Sequence, residues 1–263
     1  MTAIPLPTTV TGSGPGLLLA HGASGTIDSN FGSIIPTLAM THTVVAPEYP
    51  AGDLPLALDD LADALVDAAV DAGVETCAML GFSLGTTVAV RAATRHPERV
   101  RGLVLAAGFA KADNRIRLAM QTWQGLLGRG DTDTFARFTL ATAFSPAYTN
   151  SLSAHVVADL VRDTAASVPG GTLQQSRLAE TVDITADLPR VTVPTLVVNA
   201  TEDLLVDPDN SRYLAAAIPG ADYTEIRAGH VLMVEQPDRW RTTIEDFLLR
   251  PPHRGDGRNP HVQ

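Results

Sequence analysis

The feature that most constrains this chain is a set of short, unbroken apolar runs separated by helix-length segments. The runs fall at residues 17–20, 43–46, 76–80, 101–106 and 195–199, and a more polar strand candidate follows at 223–226. A strand with one face in water alternates apolar and polar residues. A run without alternation must be covered on both faces, which is the condition of a parallel sheet between two helical layers. The intervening segments supply those layers. Residues 56–72 place Leu58, Leu61, Ala62, Leu65 and Ala69 on one helical stripe, and Gly73 then stops the helix. Further helices are predicted at 84–94, 209–217 and 237–249. This alternation predicts an α/β fold with a mostly parallel, doubly wound sheet.

The rhythm breaks between 111 and 190. Helix-like stretches at 114–127, 133–142, 154–166 and 173–182 follow one another without a convincing strand. Gly128-Arg129-Gly130, Ser145-Pro146 and Pro169-Gly170-Gly171 punctuate them. The expected organisation is a core from 1–110 and 191–250, a helical cap inserted at 111–190, and a disordered polar tail at 251–263.

Composition excludes several classes. With 45% apolar and 18% charged residues the chain reads as globular. Its net charge of −10 and scattered basic residues argue against a nucleic-acid partner. No apolar stretch reaches the roughly 18 residues of a membrane span, and residues 1–7 lack the character of a secretory signal. The expectation is a cytoplasmic protein off the membrane, a monomer or homodimer, acting on a small molecule. A single cysteine, Cys77, excludes an intrachain disulfide and reads as a buried, inert thiol. The sequence carries no P-loop, no His-x-x-x-His pair and no dinucleotide fingerprint.

Chemistry enters at Gly81-Phe82-Ser83-Leu84-Gly85, which matches G-x-S-x-G between a strand and an Ala/Val-rich helix. The motif depends on shape. A serine on a sharp strand-to-helix turn needs small residues two positions before and after it, and Gly81 and Gly85 meet that need. The turn lifts the hydroxyl above the sheet and aims the Leu84 N–H at a developing oxyanion, aided by the helix dipole.

From 17 to 249 the chain resembles the α/β-hydrolase superfamily, in particular its capped, single-domain esterase-like members. The matching motifs run in order: Leu18-Leu19-Ala20-His21-Gly22, the serine turn, Arg95-His96-Pro97-Glu98-Arg99-Val100, Pro194-Thr195-Leu196-Val197-Val198 with Asp203, Ile218-Pro219-Gly220-Ala221, and Gly229-His230 followed by Glu235-Gln236-Pro237. The resemblance implies a triad of Ser83, Asp203 and His230, with His230 as general base, and no cofactor or metal. Glu202 and Asp207 compete with Asp203 for the acid role. Ala200 stands where glycine is common in the family, and Asp207 where proline is common. The resemblance also implies an oxyanion hole from the N–H groups of Ala23 and Leu84. The family's glycine-rich segment after the fourth strand is replaced here by Pro47-Glu48-Tyr49-Pro50-Ala51-Gly52-Asp53, and the first antiparallel strands are expected to be short or missing.

Substrate contacts are expected from His21, Ser24, Phe82, Trp123 and Phe144. Met120, Trp123, Leu126 and Leu127 make an apolar face in the insertion, joined by Phe135, Phe138 and Phe144, while His155, Arg162 and Arg177 read as surface positions. The leading expectation is hydrolysis of an ester, thioester or lactone through an acyl-enzyme. Ser29-Asn30-Phe31 resembles a segment of carbon–carbon bond hydrolases, a second reading. Cofactor-free perhydrolysis and acyl transfer or elimination are further enzymatic readings, and a ligand-binding protein on a hydrolase fold is a reading of a different class.

Overall fold

The apolar runs from 17–20 to 195–199 become the five inner strands of a seven-stranded sheet, whereas 223–226 falls in an edge strand in which only Ile226 is buried. The computed structural model describes residues 5–250. The expected tail at 251–263 lies outside the described residues. In chain order the strands are β1 (Thr8–Thr11), β2 (Gly16–Ala20), β3 (Thr43–Pro47), β4 (Cys77–Phe82), β5 (Val100–Ala106), β6 (Thr195–Ala200) and β7 (Asp222–Ile226). Their order across the sheet is β1-β3-β2-β4-β5-β6-β7, and every pairing is parallel except that of β1 with β3.

The absence of alternation in the sequence has a direct physical counterpart. Along β2, Leu17 and Leu19 belong to one apolar cluster, and Leu18 and Ala20 to another on the opposite face. One layer holds α3 (Leu58–Asp71), α4 (Leu84–Arg95) and α10 (Pro208–Ala217), which bury Leu61, Leu65, Val88 and Leu214. The other holds α1 (Ile27–Phe31), α2 (Ile35–Leu38) and, after α11 (Leu232–Glu235), α12 (Pro237–Leu248). It buries Phe31, Ile34, Leu38, Trp240 and Ile244.

Between β5 and β6 the chain builds α5 (Asn114–Leu127), α6 (Thr132–Ala143), α7 (Pro146–Ser151), α8 (Ala154–Ala166) and α9 (Thr172–Thr181), then a 3₁₀ turn at Leu188–Arg190. The breaks between these helices are written as caps. Asp113, Asp131, Ser145 and Ser153 each accept a backbone N–H in the first turn of the helix that follows. The two ends of the segment meet. Ile184 donates its N–H to Ala110, and the Lys111 ammonium lies 2.8 Å from Asp183. That ammonium, with the Thr185 hydroxyl and N–H, holds the Asp183 carboxyl down at about 2.

The chain passes from β2 to β3 on one side and then returns to β4 on the other side of β2, so the order reverses between β2 and β4. Ligands of open α/β sheets bind outside the carboxyl ends of strands at such a reversal. Residues 21–25 and 83–84 leave β2 and β4 at that point. At the opposite end, Cys77 begins β4 and is buried, and burial pushes its thiol up to about 12. It is expected to resist 5,5′-dithiobis(2-nitrobenzoic acid) in native protein at pH 8 and to react in full in denaturant. Native-state reaction would place it nearer to solvent than this packing allows.

Candidate active site

Ser83 stands between β4 and α4 with φ 52 and ψ −119. A positive φ is unfavourable for a residue with a Cβ and persists only where its surroundings enforce it. Here the enforcement is close packing of the turn. A Cβ on Gly81 would lie 2.5 Å from the Gly85 carbonyl oxygen, and one on Gly85 would lie 1.9 Å from that of Ala20. Two glycines thus let the turn sit directly on the end of β2.

The loops after β6 and β7 bring the other two residues. His230 Nε2 is 2.9 Å from Ser83 Oγ, and His230 Nδ1 is 2.6 Å from Asp203 Oδ2. All three side chains are buried. A carboxylate only accepts, so Nδ1 carries the proton toward Asp203 and Nε2 is left to accept from the serine. Asp203 Oδ1 accepts the N–H groups of Leu205 and Val206, each at 2.8 Å, which fixes the carboxylate in its turn. The other two carboxylates are engaged elsewhere. Glu202 pairs with Arg227, and Asp207 caps α10 through the Asp209 N–H. Asp207-Pro208 is itself a helix-start signal that separates it from the acid role in the sequence.

The loop after β2 is held just as tightly. Asn30 Oδ1 accepts the Gly22 N–H at 2.8 Å, Gln175 Oε1 accepts the Ser24 N–H at 2.9 Å, and Gly25 donates to the Gly22 carbonyl. Among the described residues, the N–H groups of Ala23 and Leu84 have no protein acceptor. Both residues line the same cavity as Ser83.

That cavity has a volume of about 260 Å³. Ser24, Phe82, Met120, Trp123, Leu140 and Phe144 are among its lining residues, so four of the five sequence-expected contacts are there. The fifth, His21, is not, and its placement is a correction. Its ring is buried beneath the loop and stacks on Tyr49 with centroids 3.8 Å apart. Nε2 accepts the Tyr49 N–H at 3.1 Å, so Nδ1 carries the proton and donates to the Gly22 carbonyl. Burial lowers its pKa to about 4, partly opposed by the Gly22 bond. The nearby Glu48 carboxylate, 3.4 Å from Nε2, is therefore no ion-pair partner at neutral pH. Glu48 instead accepts the Ile27 N–H at the start of α1. The segment that departs from the family pattern thus has a definite task. Pro47 to Tyr49 hold His21 and the first helix.

Phe135 packs edge-on against Trp123 as core and does not line the cavity. His155, Arg162 and Arg177 are exposed. Sequence reasoning missed Gln175, because a buried glutamine on a helix looks like a solvated one. It also missed Glu235, whose carboxylate accepts the N–H and hydroxyl of Ser145, both at 2.7 Å, and so ties the inserted helices to the histidine loop. A larger groove of about 720 Å³ lies at the opposite ends of the strands, around Gly16, Cys77 and Gly102, away from this chemistry.

The chain matches the α/β-hydrolase fold family model over residues 15–237, and it belongs to that family. It is 30% identical to a pyrrolizixenacetamide deacetylase of Xenorhabdus hominickii, covering 91% of this chain and 93% of that protein. It is 28% identical to a pimeloyl-[acyl-carrier protein] methyl ester esterase of Neisseria meningitidis, covering 83% and 72%. Among solved structures it superposes on the enol-lactonase of Burkholderia xenovorans with a TM-score of 0.83 at 20% identity, covering 93% of this chain and 96% of that one. The protein is a hydrolase of the α/β family, and none of its described helices is long and apolar enough to cross a membrane.

The depressed pKa of His21 has a consequence for stability. Unfolded chain takes up a proton near pH 6.5, whereas folded chain resists it down to about 4. The unfolded state binds more protons in that window, so the contribution of His21 is full above pH 6.5 and is lost as the pH falls toward 4. The urea midpoint of wild type is expected to fall more steeply between pH 6.5 and 4 than that of His21→Asn. Equal slopes would contradict the neutral, buried assignment.

Proposed function

We propose that the protein is a serine hydrolase that cleaves a carboxylic ester, thioester, lactone or amide of a small apolar substrate through an acyl-enzyme. The observation that carries this reading is the continuous chain from Asp203 to His230 to Ser83, ending beside two unoccupied N–H donors. In this reading Ser83 Oγ attacks the carbonyl carbon while His230 Nε2 takes its proton. The carbonyl oxygen, now an anion, is held by the N–H groups of Ala23 and Leu84. Collapse of the tetrahedral intermediate breaks the bond to the leaving group, to which His230 returns the proton. Water then repeats the sequence on the acyl-enzyme. Asp203 keeps the imidazole in the tautomer this requires.

The cavity and the family's named members support this substrate class. About 260 Å³, walled by Met120, Trp123, Leu140, Phe144 and Val206, suits a small apolar group. The relatives are named as a deacetylase, a methyl ester esterase and putative carbamate hydrolases, each a cleavage at a carbonyl carbon. Ser29 and Asn30, which suggest the carbon–carbon hydrolase reading, line the cavity and also have structural work. Ser29 completes the capping box of α1 with Thr26, and Asn30 Oδ1 holds Gly22. We further propose that the helices between β5 and β6 act as the cap of this site.

Steady-state kinetics on p-nitrophenyl esters from acetate to octanoate test the proposal. Short acyl chains are expected to be preferred. Ser83→Ala and His230→Ala are each expected to lower kcat by roughly 10⁴-fold or more, and Asp203→Asn by about 10⁴-fold through the wrong tautomer. A Ser83→Ala variant with wild-type turnover would sink the reading.

A further inference from the structure

The inserted helices meet the loop after β2 through a buried side-chain hydrogen bond. Gln175, in α9, is 1% exposed, and its Oε1 accepts the N–H of Ser24, a residue 151 positions away in sequence. Ser24 has φ 59, in the left-handed region that a residue with a Cβ avoids. It directly follows Ala23, whose N–H is the free donor of the loop. The Ser24 N–H is taken up by α9, while that of Ala23 has no protein acceptor among the described residues.

The placement of Gln175 is itself built. α9 starts at Gly171, which has φ 79, and a Cβ there would lie 2.2 Å from the Pro50 carbonyl oxygen. A Cβ on Gly170 would lie 2.9 Å from Ala51. The two glycines seat the start of the helix directly on residues 50–51, next to the Tyr49 that holds His21. Gln175 donates its N–H to the Gly171 carbonyl, one turn on from that contact. The loop after β2, residues 47–51 and the first turn of α9 therefore form one locked unit.

We propose that Gln175 is a positioning residue for the oxyanion site: by accepting the Ser24 N–H it holds Ser24 left-handed and so aims the Ala23 N–H at the carbonyl oxygen of the substrate. The proposal rests on the acyl-enzyme reading of Ser83. Its consequence is that α9 governs rate as well as access. Without the acceptor, the turn at Ser24 keeps the Gly25 N–H to Gly22 carbonyl bond but loses the bond that orients the peptide between Ala23 and Ser24, and the Ala23 donor shifts with it. A misplacement of about 1 Å costs on the order of 10²-fold in rate.

The test compares wild type with Gln175→Met, which keeps the side-chain length without a strong acceptor, and with Gln175→Glu, which keeps an acceptor oxygen. Amide hydrogen exchange at Ser24 is followed by NMR, and kcat and KM are measured on p-nitrophenyl butyrate. In Gln175→Met, Ser24 is expected to exchange at least tenfold faster, and kcat to fall about 10- to 100-fold with KM within threefold. Gln175→Glu is expected to restore the slow exchange. Gln175→Asn, too short to reach Ser24, gives the same readout as Met should the Met variant not fold. Unchanged exchange at Ser24 would overturn the proposal, as would fast exchange with wild-type kcat or a loss carried by KM alone. Fast exchange in Gln175→Met with a wild-type protein that turns over no ester would overturn the acyl-enzyme reading while leaving the hydrogen bond established.

Discussion

The architecture around the site depends on one close approach, that of the turn after β4 to the end of β2. Gly85 lies so near the Ala20 carbonyl that any side chain there would overlap it. This contact brings the residues after β2 beside the start of α4, and it leaves Ser83 in a conformation its Cβ disfavours. The strain is sustained because buried neighbours fix both sides. Ser83 donates its N–H to the Ala106 carbonyl at the end of β5, and its own carbonyl accepts from the Thr86 N–H and hydroxyl. Strain concentrated at one nucleophilic side chain, and enforced from outside, is the usual mark of a functional turn.

Around that contact the loops are fixed by single polar atoms placed in otherwise apolar surroundings. Asn30 holds Gly22, His21 holds Tyr49, Asp203 holds its own turn and His230, and Glu235 holds Ser145. Each bond satisfies a backbone or side-chain group that would otherwise be costly to bury. The arrangement uses nearly all the donors of the loop after β2. The N–H it leaves over belongs to Ala23, a residue that lines the cavity holding Ser83. Pre-set donors in a small, apolar space act on developing charge without having to reorganise.

The sequence makes some of this legible for clear reasons. Inner strands are visible because burial on both faces removes alternation, as in 17–20 and 195–199. The serine turn is visible because its sterics demand glycine at fixed spacing. Long helices such as α5 and α8 stand out through their periodicity and caps. Elements of one turn, α1, α2, α7 and α11, do not, since four to six residues are too few to establish a period. Edge strand β1 carries threonines that look like a loop. Roles were harder than places. His21 sits in a motif beside the site, yet its ring faces away from the cavity, and only the Tyr49 contact reveals that. Gln175 reads as surface because nothing in a single sequence marks a buried glutamine. Its partner is a backbone N–H, which any residue at 24 other than proline would supply.

The proposed acyl-enzyme chemistry requires Ser83 to be an activated nucleophile. Treating folded protein with a fluorophosphonate probe and mapping the adduct by peptide mass spectrometry tests it most directly. Rapid labelling is expected at Ser83 alone, absent in Ser83→Ala and strongly slowed in His230→Ala. Folded protein that stays unlabelled, or that labels at another residue with Ser83 intact, would contradict it.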